Sequence, residues 1–123
     1  MRDEDGGNAG HRHERLTQLI LEEIESLIAT EVSDPHLQSV RVSSVLLSVD
    51  YRSARVLYIT TDEREKDRKT LDQIERAFER ASPFMRRRVG EALDLKRLPE
   101  LHFVYDRDAA AQLRARDVLE PKK

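Results

Sequence analysis

Apolar side chains at Leu16, Leu19, Ile20, Ile24, Leu27, Ile28 and Val32 recur in steps of three and four. That is the stripe of an amphipathic helix and predicts one over residues 11–32. Glu22, Glu23 and Glu25 fall on its other side and read as a solvated face. Ser33-Asp34-Pro35 stops it, because Pro35 has no amide to donate and pushes Asp34 out of helical backbone. The pattern then changes period. Val40 to Val49 is β-branched and alternates, with Val40 and Val42 on one parity and Val45, Leu47 and Val49 on the other. A bulge near Ser43-Ser44, or a late start of the strand, would account for the switch. After a turn at Asp50–Ser53, Ala54–Thr61 reads as a second strand, so the pair forms a hairpin with a longer loop. Residues 61–69 are charged and aperiodic. Thr70-x-x-Gln73 matches a capping box, with Asp67 an earlier start. Leu71, Ile74, Ala77, Phe78 and Ala81 make a second helical stripe. At Ser82-Pro83 the sequence predicts a break: Ser82 as N-cap and Pro83 at the first position of a new helix that continues through Met85, Val89, Ala92 and Leu93. Leu101, Phe103 and Tyr105 alternate with His102 and Val104 in a third strand over Leu98–Asp106, with Pro99 near its start.

The order is therefore helix, strand, strand, helix, kink, helix, strand. Its amphipathic helices need a sheet face to cover, which gives an α+β, two-layer single domain with a three-stranded sheet. The 123 residues suffice for one such core. Residues 1–10, acidic and Gly-bearing, are expected to be a disordered lead-in to a domain over 11–108. Residues 109–123 are expected to be a flexible tail, helical at most over Ala109–Val118.

Charge sharpens the picture. Charged residues are 37% of the chain, yet the net charge is only -2, so any polyanion-binding surface must be local. Residues 76–97 carry seven basic side chains against three acidic ones, whereas residues 14–31 carry one basic against five acidic. Arg86, Arg87 and Arg88 would lie in the first turns of the restarted helix, where the helix dipole disfavours cations but, with free amides, attracts phosphate. Ordinary pairing with Glu79 and Glu91 explains the same run equally well. With no cysteine, thiolate chemistry and disulfides are excluded. No apolar run reaches the roughly 20 residues of a membrane span, and the N-terminus has no apolar signal-peptide region.

Four stretches together resemble the ribosome-binding factor A family: the helix to Ile28 opening at His13-Glu14-Arg15; Asp34-Pro35-His36-Leu37; Val45-x-x-Ser48-Val49-Asp50-x-x-x-Ala54-x-Val56; and Leu95-Lys96-Arg97-Leu98-Pro99-Glu100-Leu101-His102-Phe103-x-x-Asp106. The resemblance spans about residues 12–108 and implies a type II KH-like fold, a single-strand RNA module. It further implies a non-enzymatic, cytoplasmic, monomeric assembly factor without cofactor or metal. Such a factor binds the free 30S subunit and its 16S rRNA, and acts late in rRNA maturation, notably in the cold. Ribosomal proteins and an assembly GTPase would be further partners. In the family an Ala-x-Gly kink replaces the phosphate-binding glycine loop of KH domains. Here those positions are Ala81, Ser82 and Pro83, with proline in place of glycine. The RNA-contacting set expected on this basis is Arg80, Ser82, Arg86, Arg87, Arg88, Lys96 and Arg97, with Arg12, Arg15 and Arg76 as additional contacts. Phe78, Phe103 and Tyr58 lie on apolar stripes and read as core, which leaves RNA shape and backbone as the recognised features.

Three other readings compete. One is a generic KH-like module with another structured RNA target. Another is an enzyme using Asp34 with His36, or His102 with Asp106 and Asp108, but no nucleophile elbow, phosphate loop or metalloprotease spacing accompanies those residues. The last is a protein-docking module using the Glu22/Glu23/Glu25 face.

Overall fold

The computed structural model describes residues 4–61, 64 and 67–119. Helix α1 runs Glu4–Thr30, strand β1 Val40–Leu47, β2 Ser53–Thr60, helix α2 Arg68–Ala92, β3 Glu100–Tyr105 and α3 Arg107–Leu119; a 3-10 turn over Pro35–Leu37 precedes β1. The helical assignment of α1 takes in residues 4–10, where composition pointed to a disordered lead-in. Residues 1–3 and 120–123 of the expected lead-in and tail lie outside the described residues.

The sheet order is β1-β2-β3. A short turn makes β1 and β2 antiparallel. The α2 crossover returns the chain to the same end of the sheet, so β3 runs parallel to β2. Of the two explanations for the parity switch, the structure has the bulge, between Val42 and Ser44. It brings Val45 and Leu47 onto the side already taken by Val40, and all three are buried. Val49, grouped with them by parity, instead lies in the turn and is 90% exposed. One sheet face takes up the stripes of α1 and α2. Ile20, Ile24 and Leu27 of α1 and Ile74, Phe78, Met85 and Val89 of α2 are fully buried against Val56, Tyr58 and Leu101. Phe78 stacks on Phe103 at 4.1 Å and tilts against Tyr58 at 4.8 Å. Burial pushes the Tyr58 hydroxyl up to about pKa 12. These three aromatics are therefore core, as their stripe positions implied.

The main departure from expectation is α2. It is one helix through Pro83, capped at Asp67, whose carboxylate accepts from the Lys69 amide. Ser82 is not an N-cap, and no second helix begins there. Packing explains the outcome. Ala77, Phe78, Ala81, Met85 and Val89 keep helical spacing across the proline, and Met85 and Val89 are wholly buried. Their burial is worth about 1.5–3 kcal/mol each, which together matches or exceeds the ~3 kcal/mol cost of an internal proline. Pro83 itself faces solvent, so water can satisfy the Glu79 carbonyl that loses its helical partner. Further along, Gly90 lets Leu98 pack directly on the helix; a methyl at Gly90 would collide with the Leu98 side chain.

The tail forms α3. Asp106 caps it by accepting from the Ala109 amide at 3.0 Å, and the same carboxylate accepts from the bulge residue Ser43 at 2.7 Å. Ala110 is buried, which fixes the start of α3 to the domain.

Candidate nucleic-acid interface

With α2 continuous, residues 76, 80, 83 and 87 follow one another at steps of four, three and four along one solvent-facing line. Arg76, Arg80 and Arg87 are all exposed there. The line spans about 16 Å at 1.5 Å per residue, roughly the reach of a few successive phosphates. The helix ends in a Schellman motif: the Leu95 amide donates to the Gly90 carbonyl at 2.9 Å and the Asp94 amide to the Glu91 carbonyl at 3.3 Å. Asp94 takes left-handed backbone at φ 54°, which turns the chain so that Lys96 and Arg97 are exposed beyond the helix end.

The expected RNA-contacting residues separate into distinct roles. Arg86 is half-buried and donates to the carbonyls of Pro99 (3.0 Å) and Leu98 (2.9 Å). It ties α2 to the start of β3 and is spent internally. Arg88 forms a two-pronged pair with Glu31, beyond the end of α1. It also lies over the Phe84 ring, 5.6 Å from its centroid. The Glu31 carboxylate holds the Arg88 guanidinium more firmly protonated. Arg80 donates to Asp34 at 2.8 Å while remaining largely exposed. Ser82 is half-buried and does not cap a helix. Among the described residues, Arg76, Arg87, Lys96 and Arg97 make no ion pair, and neither do Arg12 and Arg15 on α1. The helix-N-terminal phosphate site expected at Ser82-Pro83 is absent because the helix does not start there. The three arginines instead sit towards the C-terminal end of α2, where the dipole no longer opposes them.

The acidic groups are also committed. Asp34 caps the 3-10 turn by accepting from the His36 amide at 3.0 Å. Arg80 and His36 together hold its carboxyl below its ordinary value. Glu25 accepts from the Val42 amide at 2.5 Å and so closes part of the free edge of β1; it is not free for docking. His102 is exposed and meets Glu100 at 3.5 Å, while Asp106 is taken up by Ser43 and α3. Of the two acid–histidine pairs weighed as catalytic, Asp34 and His36 do meet, Oδ1 to Nδ1 at 3.1 Å, whereas His102 meets Glu100 rather than Asp106. Among the described residues no three His, Asp or Glu side chains gather into a metal-holding group, and no helix is long and apolar enough to cross a membrane.

Two arginines not singled out in the sequence, Arg52 and Arg55, are exposed and make no ion pair among the described residues. Arg55 lies between Leu46 and His102 in the cross-strand register, on the sheet face that α1 and α2 leave uncovered. Its alternation with Ala54 and Val56 was the available signal.

Comparison with known proteins bears on the family and the fold. A family model described as Ribosome-binding factor A matches residues 12–119. The ribosome-binding factor A of Dechloromonas aromatica is 35% identical over 95 residues, covering 77% of this chain and 73% of the relative. That of Ruthia magnifica is 38% identical over 96 residues, covering 78% and 80%. Among solved structures, the crystal structure of ribosome-binding factor A from Thermus thermophilus matches with a TM-score of 0.54 at 26% identity, covering 75% of this chain and 89% of that one. A homology model of the Thermus thermophilus protein, as fitted into the cryo-EM map of a 30S complex, matches with a TM-score of 0.55 at 26% identity, covering 80% and 96%. On the family match and the identity shared with these relatives, the chain belongs to the ribosome-binding factor A family.

Proposed function

We propose that this chain binds the free 30S ribosomal subunit through 16S rRNA and assists late maturation of that RNA without catalysing a reaction. Arg76, Arg80 and Arg87 on α2, with Lys96 and Arg97 after it, contact phosphates. Arg86 and Arg88 hold that surface in shape. The observation that carries this reading is the line of solvent-facing arginines continued by the Lys96-Arg97 segment, four of whose five cations make no ion pair among the described residues. Cations held out in water by a rigid helix are free to displace counterions from RNA, which gives affinity and salt dependence with little sequence readout. Binding as a monomer in the cytoplasm, with an assembly GTPase or ribosomal proteins as neighbours, accords with such a role.

The test is co-sedimentation with isolated 30S subunits, 50S subunits and 70S ribosomes across a salt series, with an Arg76/Arg87/Lys96/Arg97→Glu variant beside the wild type. Selective, salt-sensitive binding to 30S that the variant loses is the expected result. Selective binding that survives charge reversal would move the interface elsewhere. Absence of binding to any particle would overturn the function.

A further inference from the structure

The turn between β1 and β2 contains a contradiction. Tyr51 stands at its tip with φ 63°, left-handed backbone that a bulky residue adopts only under constraint. The constraint is visible. The Tyr51 amide donates to the Ser48 carbonyl at 3.0 Å. Ser48 Oγ accepts from the amides of Arg52 (3.1 Å) and Ser53 (3.0 Å) and donates to Asp50 Oδ1 at 2.7 Å. Asp50 Oδ1 also accepts from the Arg52 amide at 3.1 Å. Glycine would satisfy the same network without strain, so turn formation does not account for tyrosine at this position. Tyr51 is nevertheless 37% exposed as a residue. It leans on His13 of α1, centroids 5.4 Å apart. The His13 Nε2 lies 2.9 Å from the Leu47 carbonyl and 3.2 Å from that of Ser48. Carbonyls only accept, so this nitrogen carries the proton and pins α1 to the turn. The tip is therefore tied to α1, and part of Tyr51 remains open to solvent.

Arg52 follows Tyr51 directly in the chain and is exposed. The strand that follows Lys96 and Arg97 starts against this turn: the Glu100 amide donates to the Arg52 carbonyl at 2.9 Å, and Ser53 pairs with Glu100 in the sheet. None of Arg52, Lys96 and Arg97 makes an ion pair among the described residues. A part-exposed aromatic residue on a hydrogen-bonded turn, followed by an exposed arginine, can take up an unpaired nucleotide, base on ring and phosphate on cation.

We propose that the β1–β2 turn is a second RNA-contacting surface, in which Tyr51 stacks an unpaired base and Arg52, with Lys96 and Arg97, takes the flanking phosphates. This rests on the reading of the chain as an RNA-binding assembly factor, and adds a base contact to a surface otherwise made of phosphate contacts.

The experiment measures affinity of wild type, Tyr51→Phe and Tyr51→Gly for isolated 30S subunits and for protein-free 16S rRNA, with thermal unfolding of each protein. Tyr51→Phe is expected to bind like wild type. Tyr51→Gly is expected to bind both probes about tenfold more weakly while holding its melting temperature, since the turn is relieved of strain. The inference is overturned if Tyr51→Gly binds as tightly as wild type. It is equally overturned if affinity falls only in step with melting temperature, which would make the ring a structural prop. A loss on subunits but not on bare rRNA would assign the ring to a ribosomal protein and overturn the base contact. Failure of the wild type to bind either probe would instead bring down the assembly-factor reading and this inference with it.

Discussion

Arg86 and Arg87 are neighbours of the same type, and nothing in the local sequence separates them. The fold does. Arg86 donates two hydrogen bonds to backbone carbonyls that precede β3, whereas Arg87 is exposed on the solvent line of α2 and makes no ion pair among the described residues. Removing a charged donor that satisfies two part-buried acceptors costs about 1.5–3 kcal/mol, and removing an exposed arginine costs within about 0.5 kcal/mol. Arg86→Ala is therefore expected to unfold at lower urea concentration. Arg87→Ala should unfold like wild type but bind 30S subunits more weakly, with the slope of log affinity against log salt reduced by roughly one contact. Equal stability losses in the two variants would contradict this assignment. The sequence showed that these residues were basic and clustered. Which of them was spent internally depended on where Leu98 and Pro99 return, a tertiary fact with no local signal.

At the scale of elements, periodicity located both amphipathic helices and all three strands, and even the bulge, because burial on one face leaves a parity that a strand cannot hide. The continuity of α2 was not legible. Ser82-Pro83 is a good helix start by local rules, and the competing quantity, burial of Met85 and Val89 in line with Phe78 and Ala81, is visible only once the sheet beneath is known. If α2 tolerates Pro83 against a local cost, removing it should raise stability. Pro83→Ala is expected to stabilise the protein by about 1–3 kcal/mol, less than or equal to the full penalty of an internal proline because the helix has already adapted. Thermal melts of the two proteins check it. An unchanged or lowered melting temperature would mean that the proline fits a real break. The exposed line of Arg76, Arg80 and Arg87 depends on this continuity, since a second helix starting at Ser82 would carry Arg87 off the line.

For the whole molecule, the polarity seen in the sequence survives folding in modified form. Much of the acid on α1 and just after it is turned inward on the fold's own joints: Glu31 holds Arg88, Asp34 holds Arg80 and the 3-10 turn, and Glu25 closes the β1 edge. The net charge near zero thus conceals cations left free on α2 and in the segment after it. The same joints set an acid limit on stability. Asp34 is held below its ordinary pKa, chiefly by Arg80, and Asp106 chiefly by the Ala109 amide together with Ser43. A carboxyl whose pKa is lower in the folded than in the unfolded chain contributes stability that is complete above the unfolded value, near pH 4, and is lost as pH falls through the folded value. Both groups join elements far apart in sequence, so their protonation loosens the domain as a unit. Stability from urea titrations is expected to be flat from pH 7 to about 5 and to decline below pH 4. Because the Arg80 pair is exposed, most of the effect should come from Asp106, whose cap on α3 is worth about 1 kcal/mol. Asp106→Asn is expected to be less stable at pH 7 and to show a shallower decline in acid; a variant with an acid slope equal to that of wild type would assign the sensitivity to other carboxylates.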